Sequence, residues 1–102
     1  MLDKFFTQKN RKVEKWVNEL GFRTCPEFTI GNYICDIWIP ELNWVIEIEG
    51  IRKLKKKRIK RDDYLNSLGV SMIFHISFQI TKKQFIEIFE GALGGQVIEE
   101  GN

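Results

Sequence analysis

The alternation of apolar and polar positions divides the chain into a helix, three strands, a helix, a strand and a helix. From about Thr7 the apolar residues Val13, Trp16, Val17 and Leu20 fall on one helical stripe, and Gly21 follows as a C-terminal stop. After Pro26, the β-prone runs Phe28-Thr29-Ile30 and Tyr33 to Ile39 flank Gly31-Asn32, a pair that favours a two-residue hairpin turn. Pro40 closes the second strand. Trp44 to Glu49 reads as a third, reached through the short loop Pro40-Glu41-Leu42-Asn43 and ended by Gly50.

Arg52 to Leu68 places Leu54, Ile59, Leu65 and Leu68 at nearly helical intervals before Gly69, so this stretch is expected to form the second helix. Val70 to Ile76 is apolar and β-prone. Thr81-Lys82-Lys83-Gln84 has the form of a capping box that opens a helix through Phe85, Ile88, Phe89 and Leu93. A strand, a helix and a strand in succession form a crossover unit, so the third and fourth strands are expected to run parallel. The fold class is α/β with a mixed sheet of about four strands.

A chain of 102 residues, 43% of them hydrophobic and eight of them Phe, builds one core, so residues 1–93 are expected to form a single domain with a loose tail from 94 to 102. Cys25 and Cys35 lack a Cys or His neighbour at zinc-ligand spacing, and His75 lies far along the chain. With no secretory signal and no long apolar run, the expectation is a soluble cytoplasmic protein with reduced thiols and no membrane partner. Net charge is only +2, but Arg52, Lys53, Lys55, Lys56, Lys57, Arg58, Lys60 and Arg61 supply eight of the sixteen basic residues. Such a block is either a phosphate-binding surface or a solvated helix face.

The chemistry emerges from the register of the central hairpin. If the loop pairs Ile39 with Trp44, Trp38 faces Val45, Ile37 faces Ile46, and Asp36 faces Glu47. Tyr33, Cys35, Ile37 and Ile39 then join Trp44, Ile46 and Ile48 on an apolar face, with Cys35 pointing away from Asp36 as an inert thiol. Like charges directly across strands repel, and Glu49 adds a third carboxylate to the same face. A divalent cation would remove that conflict, and Mg²⁺ bound by few carboxylates and several waters suits phosphodiester hydrolysis. The plain alternative is a solvated outer face where acidic residues alternate by chance. Trp38 shares the face of Asp36 and is a candidate for lining a cleft there.

The segments Tyr33-Ile34-Cys35-Asp36-Ile37-Trp38-Ile39-Pro40 and Val45-Ile46-Glu47-Ile48-Glu49-Gly50 resemble the active-site hairpin of PD-(D/E)XK nucleases. The likeness covers most of the chain and is nearest to the branch of very-short-patch repair endonucleases and small phage and homing endonucleases. Lys60-Arg61-Asp62-Asp63-Tyr64-Leu65-Asn66-Ser67-Leu68-Gly69 is similar to the helix that follows in that branch. The resemblance implies a restriction-endonuclease-like core, Mg²⁺ or Mn²⁺ as cofactor, double-stranded or branched DNA as partner, and a bacterial or phage-infected cell as setting. It implies Asp36, Glu47 and the Ile48 carbonyl as metal ligands, with Glu14 of the first helix, about 60° from Val17 around the helix, as a further one. The plain reading of Glu14 is one more exposed helix glutamate.

Two departures bear on catalysis. The motif lysine is Glu49 here, and the branch histidine is missing, its place falling near Lys53 with Arg52 beside it. Either basic residue could stabilise developing charge, but neither is a ready base at neutral pH. The general base is therefore unassigned. Asp62 matches an aspartate of the branch and equally suits a surface ion pair with Arg61, while His75 suits either a supporting role near the site or a structural one. The expected function is a metal-dependent DNA endonuclease in which Asp36, Glu47, Glu49, Glu14, Lys53 and Asp62 are the candidate catalytic residues. The alternative is an inactive nuclease-fold module that binds nucleic acid or a partner protein, and a weaker one is an accessory factor of a phage or mobile element. So short a chain would draw specificity from loops, DNA shape or a homodimer.

Overall fold

The computed structural model describes the backbone of residues 2–50 and 55–101, and the side chains of residues 8–50 and 56–94. Its elements are α1 (Leu2–Glu19), β1 (Cys25–Ile30), β2 (Tyr33–Ile39), β3 (Trp44–Glu49), α2 (Lys55–Ser67), β4 (Met72–Ser77) and α3 (Lys82–Gly101). The strands form one sheet in the order β1-β2-β3-β4, antiparallel through β3 and parallel between β3 and β4. This is the α/β architecture expected. Helix α3 is recorded through Gly101, past the point where the sequence reading placed a loose tail. Arg52, Lys53 and Leu54 lie outside the described residues. No helix among the described residues is long and apolar enough to cross a membrane.

Local chemistry explains the boundaries. Gly21, at φ +100°, and Gly69, at φ +103°, take the left-handed conformation that ends a helix without a side-chain penalty. At the start of α3, the Thr81 N–H donates to Gln84 Oε1 at 3.0 Å and the Gln84 N–H donates to Thr81 Oγ1 at 3.2 Å, which completes the capping box. Gly31, at φ +58°, turns β1 into β2 directly beneath α2, where a Cβ would collide with the Tyr64 ring and Leu68.

The two sheet faces are covered differently. On one, Ile37, Ile39, Trp44, Ile46, Ile48 and Ile76 pack against Val13 and Val17 of α1 and Phe85 and Phe89 of α3. On the other, a smaller cluster joins Cys35, Val45 and Val70 to Leu65 of α2. Two expectations are corrected here. Cys35 and Tyr33 lie on the α2 side rather than with Ile37 and Ile39. The apolar stripe of α2 is also not its inward face, since Ile59 and Leu68 are each 50% exposed and, of the described members of that set, only Leu65 is buried.

The first correction has a backbone cause. Pairing of β1 with β2 runs Pro26↔Ile37 and then Phe28↔Cys35, passing over Glu27 and Asp36, and Glu27 adopts φ +48°. Pairing of β2 with β3 runs Ile39↔Trp44, Trp38↔Val45 and Ile37↔Ile46, the register expected, and stops before Asp36. Pairing thus lapses at Asp36 in both ladders, and Cys35 and Ile37 on either side of it belong to opposite layers. The second correction follows from the charges on the α2 side, described next.

Candidate functional site

Where β2 and β3 stop pairing, two backbone N–H groups turn to side chains for acceptors. The Asp36 N–H donates to Glu47 Oε2 at 3.0 Å, and the Ile48 N–H donates to Asp36 Oδ2 at 2.8 Å. The carboxylates thus take the place of ladder carbonyls, which meets the rule that buried N–H groups find partners. Asp36 and Glu47 are brought together, as the register implied, but each also holds the opposite strand.

Glu47 is 2% exposed, the sole charged residue buried among those described. Its charge is matched by Arg61 of α2, whose Nη2 lies 3.0 Å from Glu47 Oε1. The same nitrogen donates to the Ile34 carbonyl at 3.0 Å, and the guanidinium lies over the Tyr33 ring, 4.9 Å from its centre. Arg58, one helical turn earlier, pairs with Glu49 Oε1 at 3.2 Å. Spacings of three and four residues put Arg58, Arg61, Asp62 and Leu65 on one face of α2, and this face meets the sheet. A strand carrying buried carboxylates requires cations opposite, which is why the inward face of α2 is polar.

His75 is the residue that sequence reasoning undervalued. It lies opposite Glu47 in the parallel ladder, on the α2 side of β4. Its Nδ1 is 2.5 Å from Glu49 Oε2 and its Nε2 is 2.7 Å from Asp62 Oδ2. Each ring nitrogen thus has a carboxylate oxygen as its partner. Two candidate carboxylates are thereby joined through a side chain that seemed remote. The period-two pattern of Ile73, His75 and Ser77 signalled its face, but not which helix it would meet. Asp62 Oδ1 and Arg61 Nε are buried without a partner, so the network retains one open acceptor and one open donor.

Other candidates lie elsewhere. Glu14 Oε2 accepts from Thr24 Oγ1 at 3.0 Å and lines a separate cavity with Asn10, Arg11, Pro26 and Glu27. Lys53 and Arg52 are outside the described residues, as is the side chain of Lys55. Lys56, Lys57 and Lys60 are exposed on α2, and Lys57 and Lys60 join Tyr33, Arg58, Arg61 and His75 around a cavity of about 280 Å³. Trp38 stacks on Phe28 with centroids 4.2 Å apart, and its Nε1 donates to Asn43 Oδ1 at 3.0 Å. These contacts tie β2 to β1 and to the β2–β3 turn. Cys35 is buried, and its thiol is pushed up from the ordinary range by desolvation and then by the Glu47 charge. Both effects disfavour the thiolate.

Comparison of the chain with models of known protein families, with curated proteins and with solved structures found no match.

The arrangement bears directly on the expected cation. Both Glu47 oxygens are taken, by Arg61 and by the Asp36 N–H, and one Asp36 oxygen is taken by the Ile48 N–H. Among the described residues no three His, Cys, Asp or Glu side chains converge into a group that could hold a metal. As arranged, the residues do not fit a divalent cation. Repulsion among Asp36, Glu47 and Glu49 is relieved by arginine and histidine instead.

Proposed function

We propose that this protein is a DNA endonuclease with a PD-(D/E)XK, restriction-endonuclease-like core, hydrolysing phosphodiester bonds in double-stranded or branched DNA. The observation that carries the reading is the meeting of Asp36 and Glu47 where β2 and β3 part, under a helix that is cationic on its outer face. Lys56, Lys57 and Lys60 grip backbone phosphates, each contact releasing counterions, and the cavity beside them admits one phosphate toward His75. His75, bridged between Glu49 and Asp62, forms part of the wall of that cavity. Glu49 occupies the place of the motif lysine and acts as a positioning residue for His75 and Arg58. No step is assigned to a metal.

One observation favours a second reading, a nuclease-fold module that binds nucleic acid without cutting it. Arg61 neutralises the carboxylate that catalysis would need. Cleavage of supercoiled plasmid and of a branched duplex separates the two, using wild type and Asp36→Ala with Mg²⁺, Mn²⁺ or chelator. Nicking by the wild type that is lost in Asp36→Ala supports the nuclease; binding with no cutting under any condition supports the module.

A further inference from the structure

Six residues from three elements surround the cavity of about 280 Å³: Tyr33 of β2, Lys57, Arg58, Lys60 and Arg61 of α2, and His75 of β4. Four of them are cations, and among the described residues no acidic side chain joins them. The cavity has a rim and a floor. Lys57 and Lys60 are exposed, whereas the side chains of Arg61 and His75 are only 19% and 17% exposed. Spacings of three and four residues therefore line one recess with positive charge from the solvent down to the sheet. Arg58 and Arg61 stay paired with Glu49 and Glu47 at 3.2 and 3.0 Å, which fixes where their other N–H groups lie. Both ring nitrogens of His75 are partnered by carboxylates. Lys57 and Lys60 pair with no acidic side chain among the described residues, so their charge is available to an anion.

We infer that this cavity receives the terminal phosphate of a DNA strand, which rests on the DNA reading above and names the part of the substrate that enters. Charge and shape separate a strand end from the interior of a strand. An internal phosphodiester carries one negative charge and has chain on both sides, so it would have to bring two sugars past Lys57 and Lys60 toward the floor. A terminal phosphate has chain on one side only, three free oxygens and a charge of about −1.5 to −2 near neutral pH. Such a group suits two lysines at the rim above two oriented guanidinium forks. Size agrees with this. At about 280 Å³ the cavity is close to the roughly 300 Å³ at which small-ligand pockets begin, room for a phosphate with its sugar beside the Tyr33 ring rather than for a bare ion. Lys56 is exposed on the same helix but does not line the cavity.

The test is binding of a DNA hairpin with one blunt end, labelled in its loop and carrying a 5′-phosphate, a 3′-phosphate or hydroxyls only, read by fluorescence anisotropy with chelator present. A phosphorylated end is expected to bind at least about tenfold more tightly than the hydroxyl end. Which of the two phosphates gains shows the terminus that the cavity takes. Lys57→Gln combined with Lys60→Gln is expected to erase the preference, whereas Lys56→Gln weakens all three hairpins by the same factor. Equal affinity for the three hairpins would overturn the inference. So would a preference that persists in the double variant, or an absence of binding to every hairpin. After any of these results, plasmid cutting that disappears in Asp36→Ala keeps the nuclease reading standing by itself. The comparison of hairpins on the wild type needs no variant to fold.

Discussion

The two faces of the sheet are built from the same strands by different rules. Toward α1 and α3, Ile37, Ile39, Trp44, Ile46 and Ile48 meet Val13, Val17, Phe85 and Phe89, and contact is a matter of volume and shape. Toward α2, Val45 and Leu65 form a small apolar cluster beside Glu47, Glu49, Asp62, His75, Arg58 and Arg61, where every charge has a designated partner. The first face stabilises the domain. The second gives up apolar burial to keep Glu47 inside, with Arg61 beside it.

Three experiments sharpen that contrast. Phe89 touches Phe22, Trp44, Phe74 and Phe85, with ring centres 5.3 to 6.0 Å away, so Phe89→Ala should lower stability by about 3–5 kcal/mol in denaturant unfolding. A loss well below about 2 kcal/mol would mean that the α1 and α3 face is not the main core. On the other face, Arg61→Met removes the guanidinium from buried Glu47 and should cost about 3 kcal/mol, while Glu47→Gln combined with Arg61→Met should recover most of it. Additive losses in that double-mutant cycle would show that the ion pair does not hold α2 to the sheet. Gly31→Ala should cost about 1–3 kcal/mol, from strain at φ +58° and from the collision with Tyr64 and Leu68. An unchanged melting curve would place the β1–β2 turn clear of α2.

Much of the architecture was legible because it depends on local periodicity. The hairpin of β2 and β3, its three-pair register, the capping box at Thr81 and the helix stops at Gly21 and Gly69 are each set within a few residues. The juxtaposition of Asp36 and Glu47 followed from that register. What local pattern could not supply was the inward face of α2. Ile59 and Leu68 imply an apolar stripe, yet they are half exposed, because the face opposite α2 carries carboxylates with which Arg58 and Arg61 pair. The side on which Cys35 sits was hidden for a related reason. The lapse of pairing at Asp36 is a property of two ladders, with Glu27 at positive φ, rather than of the β2 sequence.

By itself, then, the sequence determined the order and type of the elements, the turns between them, and the strand positions that bear the acidic residues, since these follow from side-chain periodicity and the conformational preferences of Gly, Pro, Asn and Thr. Only the tertiary structure decided which charges meet. It brought His75 from β4 between Glu49 and Asp62, and Arg61 from α2 onto Glu47. Pairing of charges between elements depends on how a helix is rotated against a sheet, and that rotation is fixed by desolvation of the whole layer rather than by any one segment.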